Sequence, residues 1–410
     1  MKVVILSQFY APEPLPKPHH LAEGLHERGH EVTVLTGFPN YPSGRLYPGY
    51  RLRPWSMEVV RGVRTVRLAL YPDHSASPVR RICNYASFAA AASTIGPAVC
   101  GSPDAMYVFH PPSTVGVAAC LISWLRRVPF VYEVADLWPE AVVASGMLKS
   151  PLAAAFVERV EQSVYARAGA VAAVTPGIAE HLRRDGVARD KLHVITDWAD
   201  ERVYRPVPPE PALSERLGMA GRFNVVFGGQ VGLVQRLDTV VEAAAMLRAH
   251  PAIQFVIAGD GIDRARLERA SADRNLTNLR FLGQLPAEGM PRLYALADVL
   301  LVHLSAQPIF HLSVPAKTYA YMACEKPVLM AADGAAADLI RASGAGLACA
   351  PEDPGALAET VLEFFRMSPE SRAGLGRRGR EMFVRHYSRA VGVARCEALL
   401  SAIAARKPSA

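Results

Sequence analysis

Residues 313–317 have the types and the spacing of a diphosphate-binding site. Ser313 and Pro315 are typical of a helix start, which places Lys317 in the first turn. The first backbone N–H groups of a helix are unpaired and carry partial positive charge, so they bind phosphate groups. Lys317 would add a full positive charge, which stabilises a diphosphate as it departs and gains negative charge. A lysine on a solvated helix face is the alternative.

Glycines follow three of the predicted strands in the same half of the chain. In open parallel sheets, ligands bind beyond the carboxyl ends of the strands, and glycine allows the backbone to approach them closely. Arg236 lies in the first of these loops and offers a second cation. A simple turn is the alternative for each glycine taken alone. The sequence therefore predicts that a nucleotide diphosphate is bound by Gly229, Gly232, Arg236, Gly259, Gly261, Gly283, Ser313, Pro315 and Lys317.

Carboxylates follow the predicted strand 130–134. Asp136 and Glu140, with Glu133 before them and a tryptophan between them, indicate an acceptor pocket in which a carboxylate orients or deprotonates a hydroxyl. Asp136 as the N-cap of the next helix is the alternative. His110 ends another strand, and it either lines the same pocket or is a satisfied loop histidine. The candidate catalytic residues are Asp136, Glu140 and Lys317.

Other ligand chemistries lack their motifs. The loop after the first strand, residues 8–16, is not the Gly-x-Gly-x-x-Gly turn of dinucleotide-binding proteins, which argues against a nicotinamide or flavin dehydrogenase. No Asp-x-Asp triplet occurs in the sequence, which argues against a metal bound together with the diphosphate. The six cysteines include no close pair, so neither a zinc site nor a disulfide framework is indicated. We therefore expect neither a metal nor a cofactor.

Strand and helix patterns alternate along the whole chain. Apolar strands separated by helix-length segments indicate parallel sheets covered on both faces. Four prolines within residues 205–211 predict a stiff, extended linker, after which the pattern restarts. The sequence thus predicts an α/β protein of two Rossmann-like, doubly wound domains facing each other across a cleft. The predicted bounds are 1–200 for the first domain, 201–222 for the linker, 223–385 for the second domain and 386–410 for a C-terminal helix.

The net charge of +7 is unevenly distributed. Residues 45–81 hold eight arginines against Glu58 and Asp73, an excess that would attract an anionic lipid headgroup or a pyrophosphate; a solvated basic face is the alternative. Because aromatic residues are not interleaved at regular spacing, nucleic acid is not expected. Residues 82–100 are apolar but too interrupted for a transmembrane helix, and the amino terminus lacks the features of a signal peptide. We expect a cytoplasmic protein with peripheral contact to the inner face of the plasma membrane.

Four motifs taken together resemble the family-4 retaining glycosyltransferases of the GT-B fold, and the similarity is greatest to the N-acetylfucosaminyltransferase-like or colanic-acid-type branch of bacterial surface polysaccharide synthesis. They are Arg28–Pro42, Asn84–Phe88, Asp136–Glu140 and Val314–Lys317. The resemblance implies a nucleotide-sugar donor, usually UDP-linked, held mainly by the second domain. It implies a glycan or polyprenyl-diphosphate-linked acceptor held by the first domain, and transfer with retention of configuration. It also implies that the last helix crosses back onto the first domain.

The chain departs from the family pattern in both halves. Gln230 and Gln235 stand where many members have an arginine and a lysine, and Leu312 and Ala320 stand where they have two glutamates. In the first half, Ala135 replaces a common histidine, and residues 15–18 replace a glycine pair. The donor half is therefore better defined than the acceptor half.

Transfer of a sugar without a metal, by an enzyme of the hexosyltransferase class, is the function that the sequence favours. One alternative is a nucleotide-sugar 2-epimerase of the same fold, which would convert the donor without an acceptor. The other is a non-catalytic partner protein of the same fold, motivated by the missing glutamates. The sequence leaves the oligomeric state open.

Overall fold

The structure is a computed structural model that describes residues 1–75, 77–144, 148 and 150–406. The chain divides into two compact units. Unit 1 contains Met1–Thr196 and the chain from Arg389 onward, and unit 2 contains Asp197–Ser388. The sequence predicted that the first domain ends at residue 200 and the second at residue 385, whereas the units of the structure change after Thr196 and after Ser388.

Fourteen strands are found among the described residues. They are β1 (Lys2–Leu6), β2 (Glu31–Gly37), β3 (Trp55–Val60), β4 (Val63–Leu68), β5 (Ala105–His110), β6 (Phe130–Val134), β7 (Ala170–Ala173), β8 (Leu192–Val194), β9 (Phe223–Gly228), β10 (Ile253–Ala258), β11 (Leu279–Gly283), β12 (Val299–His303), β13 (Val328–Ala331) and β14 (Gly346–Cys349).

The α-helices of the described chain are α1 (Pro16–Glu27), α2 (Pro78–Thr94), α3 (Gly96–Val99), α4 (Thr114–Arg126), α5 (Glu140–Ala144), α6 (Pro151–Arg167), α7 (Pro176–Arg184), α8 (Pro211–Arg216), α9 (Asp238–Met246), α10 (Arg264–Asp273), α11 (Met290–Ala295), α12 (Lys317–Ala323), α13 (Ala335–Ser343), α14 (Pro354–Arg366), α15 (Pro369–His386) and α16 (Arg389–Ala405). Short 3-10 helices cover Arg189–Lys191, Leu233–Gln235, Leu247–Ala249, Ala287–Gly289 and Pro308–Leu312.

Unit 1 is built on an eight-stranded sheet in the order β3-β4-β2-β1-β5-β6-β7-β8. Its strands pair in parallel except β3, which pairs antiparallel with β4. Strands such as β5 and β6 are buried along their whole length because helices cover both faces of a parallel sheet. The last helix, α16, belongs to this unit: a Cβ on Gly24 of α1 would lie 2.6 Å from the Val393 side chain.

Unit 2 is built on six parallel strands in the order β11-β10-β9-β12-β13-β14. The chain moves outward from β9 to β10 and β11, and then returns to the other side of β9 with β12. The strand order therefore reverses between β9 and β12, and the crevice beyond their carboxyl ends is where open α/β sheets bind ligands. The first and last residues of the unit lie close together, since Ala199 forms a parallel β-bridge with Ser388.

The sequence pattern missed three strands. Strands β3 and β4 lie in the arginine-rich segment, for which attraction of an anion and a solvated basic face were the two interpretations, and β4 carries two arginines and a threonine among three aliphatic residues. Strand β14 is only four residues long and begins with glycine, which weakens the strand pattern. The predicted linker is not extended throughout, since α8 lies inside it and belongs to unit 2.

Candidate functional site

The glycine loops of unit 2 stack backbone against backbone at the carboxyl ends of β9, β10 and β11. The N–H of Gly229 donates to the carbonyl of Ala258 (2.9 Å), and the N–H of Gly259 donates to the carbonyl of Gly283 (2.8 Å). Gly259 has φ +155°, and a Cβ there would lie 1.7 Å from the carbonyl oxygen of Gly229. A Cβ on Gly261 would lie 2.2 Å from the carbonyl oxygen of Val231. Glycine is therefore needed for these loops to pack.

Lys317 reaches the first of these loops from α12. Its ammonium nitrogen lies 3.6 Å from the centre of the Phe227 ring, and a Cβ on Gly229 would lie 2.8 Å from it. The residue is partly exposed, but the nitrogen itself is buried and has no hydrogen-bond partner within the described part of the chain. Burial lowers the pKa of this ammonium from 10.5 to about 7. The structure thus holds a buried cation beside the β9 loop with the ring of Phe227 as its favourable contact.

The predicted helix start is wrong by several residues. The helix begins at Lys317, after an irregular segment that contains Ser313 and Pro315. The N–H of Thr318 donates to the carbonyl of Pro315 (2.9 Å), and the N–H of Tyr319 donates to Ala316 (3.2 Å). Because two of the first amide groups are already bonded, the helix terminus offers fewer free donors than expected. Lys317 is therefore a stronger candidate for binding a diphosphate than the amide groups at the start of the helix.

Tyr321 fixes the end of β9, a role that the sequence did not reveal. Its hydroxyl accepts from the N–H of Gly228 (2.8 Å) and donates to the carbonyl of the same residue (3.2 Å). Tyr321 follows Lys317 by one helical turn, so one short helix both supplies the cation and fixes the strand end next to it. Neither Tyr321 nor Phe227 carries a motif, and their contacts are separated by about ninety residues of sequence.

Arg236 is placed in the expected loop, but its charge is already balanced. Its guanidinium lies 3.4 Å from a carboxylate oxygen of Asp238 and 3.3 Å from one of Glu352. In the same loop, the N–H of Gly232 donates to the side-chain oxygen of Gln235 (3.1 Å). The loop is thus stabilised by its own polar groups, and Arg236 is a weaker candidate than Lys317 for holding a diphosphate.

The acceptor candidates lie in unit 1, beyond the end of β6. Asp136 and Glu140 are both exposed, and Glu140 lies 3.6 Å from the ring of His181. Because α5 begins at Glu140, Asp136 is not its N-cap. The third carboxylate, Glu133, is buried and pairs with Lys17 (3.0 Å), so it serves the packing of unit 1.

Trp138 connects this loop to His110. Its ring packs edge-on against the His110 ring, with 5.6 Å between the ring centres. His110 is buried and lies 3.6 Å from Glu161 of α6, a carboxylate that Tyr132 also contacts through its hydroxyl (3.3 Å). Burial lowers the pKa of His110 to about 3 and raises the pKa of Glu161 to about 7. His110 is therefore a neutral, buried support of the loop, and Glu161 had no sequence signal.

The arginine-rich segment does not form one basic surface. Arg67 is fully buried, and its guanidinium donates to Glu58, to the carbonyl of Ala11 (2.6 Å) and to the carbonyl of Gly37 (3.3 Å). At Arg67, neither attraction of an external anion nor the alternative of a solvated basic face therefore applies. Arg67 instead connects β4 to the loop that follows β1 and to the last residue of β2.

The described residues contain neither a candidate metal cluster nor a candidate membrane-spanning helix. No group of three His, Cys, Asp or Glu side chains among them is arranged to hold a metal ion. No helix among them combines the length and the apolar character needed to cross a membrane.

Comparison with known proteins supports the two-unit description. Residues 17–198 match the family described as glycosyl transferase 4-like domain, and residues 214–382 match the family described as glycosyl transferases group 1. Both halves of the chain thus match glycosyltransferase domains. Each match falls almost entirely within one of the two units.

Curated relatives and solved structures agree with these domains. The chain is 29% identical over 262 residues to a Pseudomonas aeruginosa protein named as a glycosyltransferase, WbjE, covering 63% of this chain and 65% of that one. It is 26% identical over 315 residues to WcaI of Escherichia coli K12, named as a colanic acid biosynthesis glycosyl transferase, covering 74% and 76%. The crystal structure of Anabaena HepE with UDP and glucose aligns with TM-score 0.73 at 16% identity, covering 98% and 99%. The chain thus has the GT-B fold of two Rossmann-like domains.

Proposed function

We propose that this chain transfers a sugar from a nucleotide-diphosphate donor, UDP-linked in the first instance, to a glycan or polyprenyl-diphosphate-linked acceptor in surface polysaccharide synthesis. The proposal includes retention of configuration and catalysis without a metal. The names of WbjE and WcaI support the reaction class, the colanic acid in the name of WcaI supports the polysaccharide, and the UDP bound to HepE supports the donor nucleotide. Retention is supported by the family resemblance alone.

The observation that carries the proposal is the buried ammonium of Lys317. An unpaired cation in a buried site is costly, and a bound anion would remove that cost. The ammonium lies at the reversal between β9 and β12, next to glycines that let a diphosphate approach the backbone. As the glycosidic bond breaks, negative charge grows on the departing diphosphate, and Lys317 stabilises it from a fixed position.

Roles for the remaining candidates follow from their positions. Gly229, Gly259 and Gly261 shape the donor loops, and Gly283 supports them from the third strand. Asp136 and Glu140 are proposed to orient the acceptor hydroxyl, because they are the exposed carboxylates beyond β6. We place the protein in the cytoplasm, in peripheral contact with the membrane that would carry a lipid-linked acceptor.

A panel of nucleotides and nucleotide sugars tests the donor site by thermal unfolding. A ligand that binds the folded state raises the melting temperature, so UDP and one UDP-sugar should do so more than ADP or GDP. Lys317→Ala should abolish this shift and lower turnover by about two to three decades. Near-normal turnover in Lys317→Ala would remove Lys317 from the mechanism. Donor hydrolysis or transfer above background would exclude a non-catalytic role, and conversion of the donor to its epimer without acceptor would favour an epimerase.

A further inference from the structure

Helix α4 exposes an apolar stripe along its whole length. Val117, Leu121, Trp124 and Leu125 follow one another at helical spacing, and between 36% and 66% of each residue is exposed. The opposite side of α4 is buried in unit 1, so the helix is apolar on both sides. An outward helix face normally carries polar residues, and an apolar one indicates a partner or a membrane surface.

Helix α2 runs beside α4 in the same direction and extends this surface. The side chain of Thr114 donates to the carbonyl of Tyr85 (3.2 Å), and that of Arg126 donates to the carbonyl of Pro97 (2.6 Å). Both contacts join residues 29 apart; Tyr85 lies in α2 and Pro97 in α3, so α4 runs alongside the second half of α2 and then α3. We call the exposed apolar residues of the two helices the outer α2–α4 face: Val79, Ile82, Val117, Leu121, Trp124 and Leu125.

The charges on the two helices are all positive, and one of them, Arg80, lies 3.8 Å from the carboxylate of Asp73, which precedes α2. Arg80 and Arg81 lie at the start of α2, and Arg126 and Arg127 lie at the end of α4. Neither helix contains an acidic residue, and Asp104 is the single acidic residue of the sequence between His74 and Tyr132. An apolar stripe with arginines near its ends is complementary to a bilayer, where aliphatic side chains enter the interface and arginines remain at the headgroups.

We infer that the outer α2–α4 face docks onto an anionic lipid bilayer. Trp124 suits the headgroup region because its ring is apolar and its indole N–H is polar. Each arginine near an anionic surface adds attraction, and the apolar stripe adds an attraction that salt does not screen. The inference rests on the proposed peripheral contact and assigns it to α2 and α4, so that only Arg80 and Arg81 of the arginine-rich segment 45–81 take part. It concerns unit 1 alone and does not depend on the donor site.

Vesicle flotation of the full-length chain tests the inference. The protein should bind vesicles containing about a third phosphatidylglycerol at least about tenfold more tightly than phosphatidylcholine alone. The double variant Leu121→Gln and Trp124→Gln should weaken binding to the anionic vesicles by about tenfold or more. Arg80→Gln with Arg127→Asn should reduce the preference for anionic lipid. Met246→Gln, which removes an exposed apolar side chain from α9 of unit 2, is the matched control and should bind as the wild type does.

Three results would overturn the inference. They are no preference of the wild type for anionic vesicles, unchanged binding by the Leu121 and Trp124 variant, or a wild-type dimer in light scattering that this variant dissociates. The last result would make the face an interface between two copies. Thermal stabilisation by UDP is measured on the wild type and on the same variants. If UDP does not stabilise the wild type, the donor proposal is refuted, whereas vesicle binding still tests the outer α2–α4 face. The replaced side chains are exposed, so the variants should melt at the wild-type temperature.

Discussion

Replacement of Lys317 by methionine should make the protein more stable and less active at the same time. Methionine keeps an unbranched side chain, one atom shorter than that of lysine, and removes the charge. In the wild type, the ammonium is buried against Phe227 without a hydrogen-bond partner in the described chain. The folded state therefore bears the cost of this buried charge, and Lys317→Met removes that cost.

The size of the effect follows from the pKa. Burial lowers the pKa of Lys317 from 10.5 to about 7. Each tenfold change in a protonation equilibrium corresponds to about 1.4 kcal/mol, so the folded state is destabilised by at most about 5 kcal/mol. The contact with the Phe227 ring favours the charged form and reduces this figure. The charge lowers the unfolding free energy because the unfolded chain binds this proton more tightly than the folded chain does.

The pH dependence separates this cause from ordinary repacking. The destabilisation is complete below pH 7, where both states carry the proton, and it declines as the pH rises toward 10.5. The gain in unfolding free energy from Lys317→Met should therefore be largest at pH 6 and fall by about 3 kcal/mol at pH 9. Urea unfolding of both proteins at the two pH values measures it.

Two outcomes would refute the reasoning. A variant that is less stable than the wild type at pH 6 would show that the ammonium is not a costly buried charge. A gain that is equal at pH 6 and pH 9 would show that the effect comes from packing and not from titration. Turnover is measured on the same preparations, and retention of full activity would remove Lys317 from the donor site even if the stability gain were found.

Three further predictions concern the same two units. Gly259→Ala should destabilise unit 2 by about 2 kcal/mol or more and weaken UDP binding about tenfold, because the new Cβ would clash with the Gly229 carbonyl. Gly289→Ala is the control, since the space around its Cβ is open. Equal melting temperatures for the two variants would contradict the prediction. Arg236→Asn should lower turnover by less than about tenfold because two carboxylates already balance the charge, and a loss as large as that of Lys317→Ala would show otherwise. Glu161→Gln should stabilise unit 1 by up to about 3 kcal/mol at pH 8 and by little near pH 4.5, because burial raises the pKa of Glu161 to about 7. Urea unfolding of the wild type and the variant at both pH values measures this. A difference in unfolding free energy that does not change with pH would disprove it.

Much of the fold follows from periodicity, because buried parallel strands are short apolar runs. Strand 130–134 was predicted with its observed bounds, and β9, β10 and β12 were predicted within a residue or so at each end. Strands β3 and β4 were missed because β3 is exposed or half-buried along its whole length and β4 carries two arginines. One of these arginines, Arg67, is buried by hydrogen bonds to distant carbonyl groups, and no local pattern shows this.

The candidate site was only partly predictable. Lys317 and the glycines were found because a lysine near a helix start and glycines after strands have a local signature. Phe227, Tyr321 and Glu161 were not found, since their roles depend on contacts between segments far apart in sequence. The balance of charge at Arg236 also comes from a distant residue, Glu352, so the sequence could not show that this cation is already paired.

The division of the chain has a consequence for how the protein folds. Unit 2 is an insertion within unit 1, and its two ends are neighbours because Ala199 pairs with Ser388. Residues 197–388 have their own sheet and core, so we expect them to fold when expressed alone. Unit 1 lacks α16 until the last residues are synthesised, and the surface of α1 around Gly24 stays uncovered until then. On the ribosome, the middle of this chain can be complete before its beginning is.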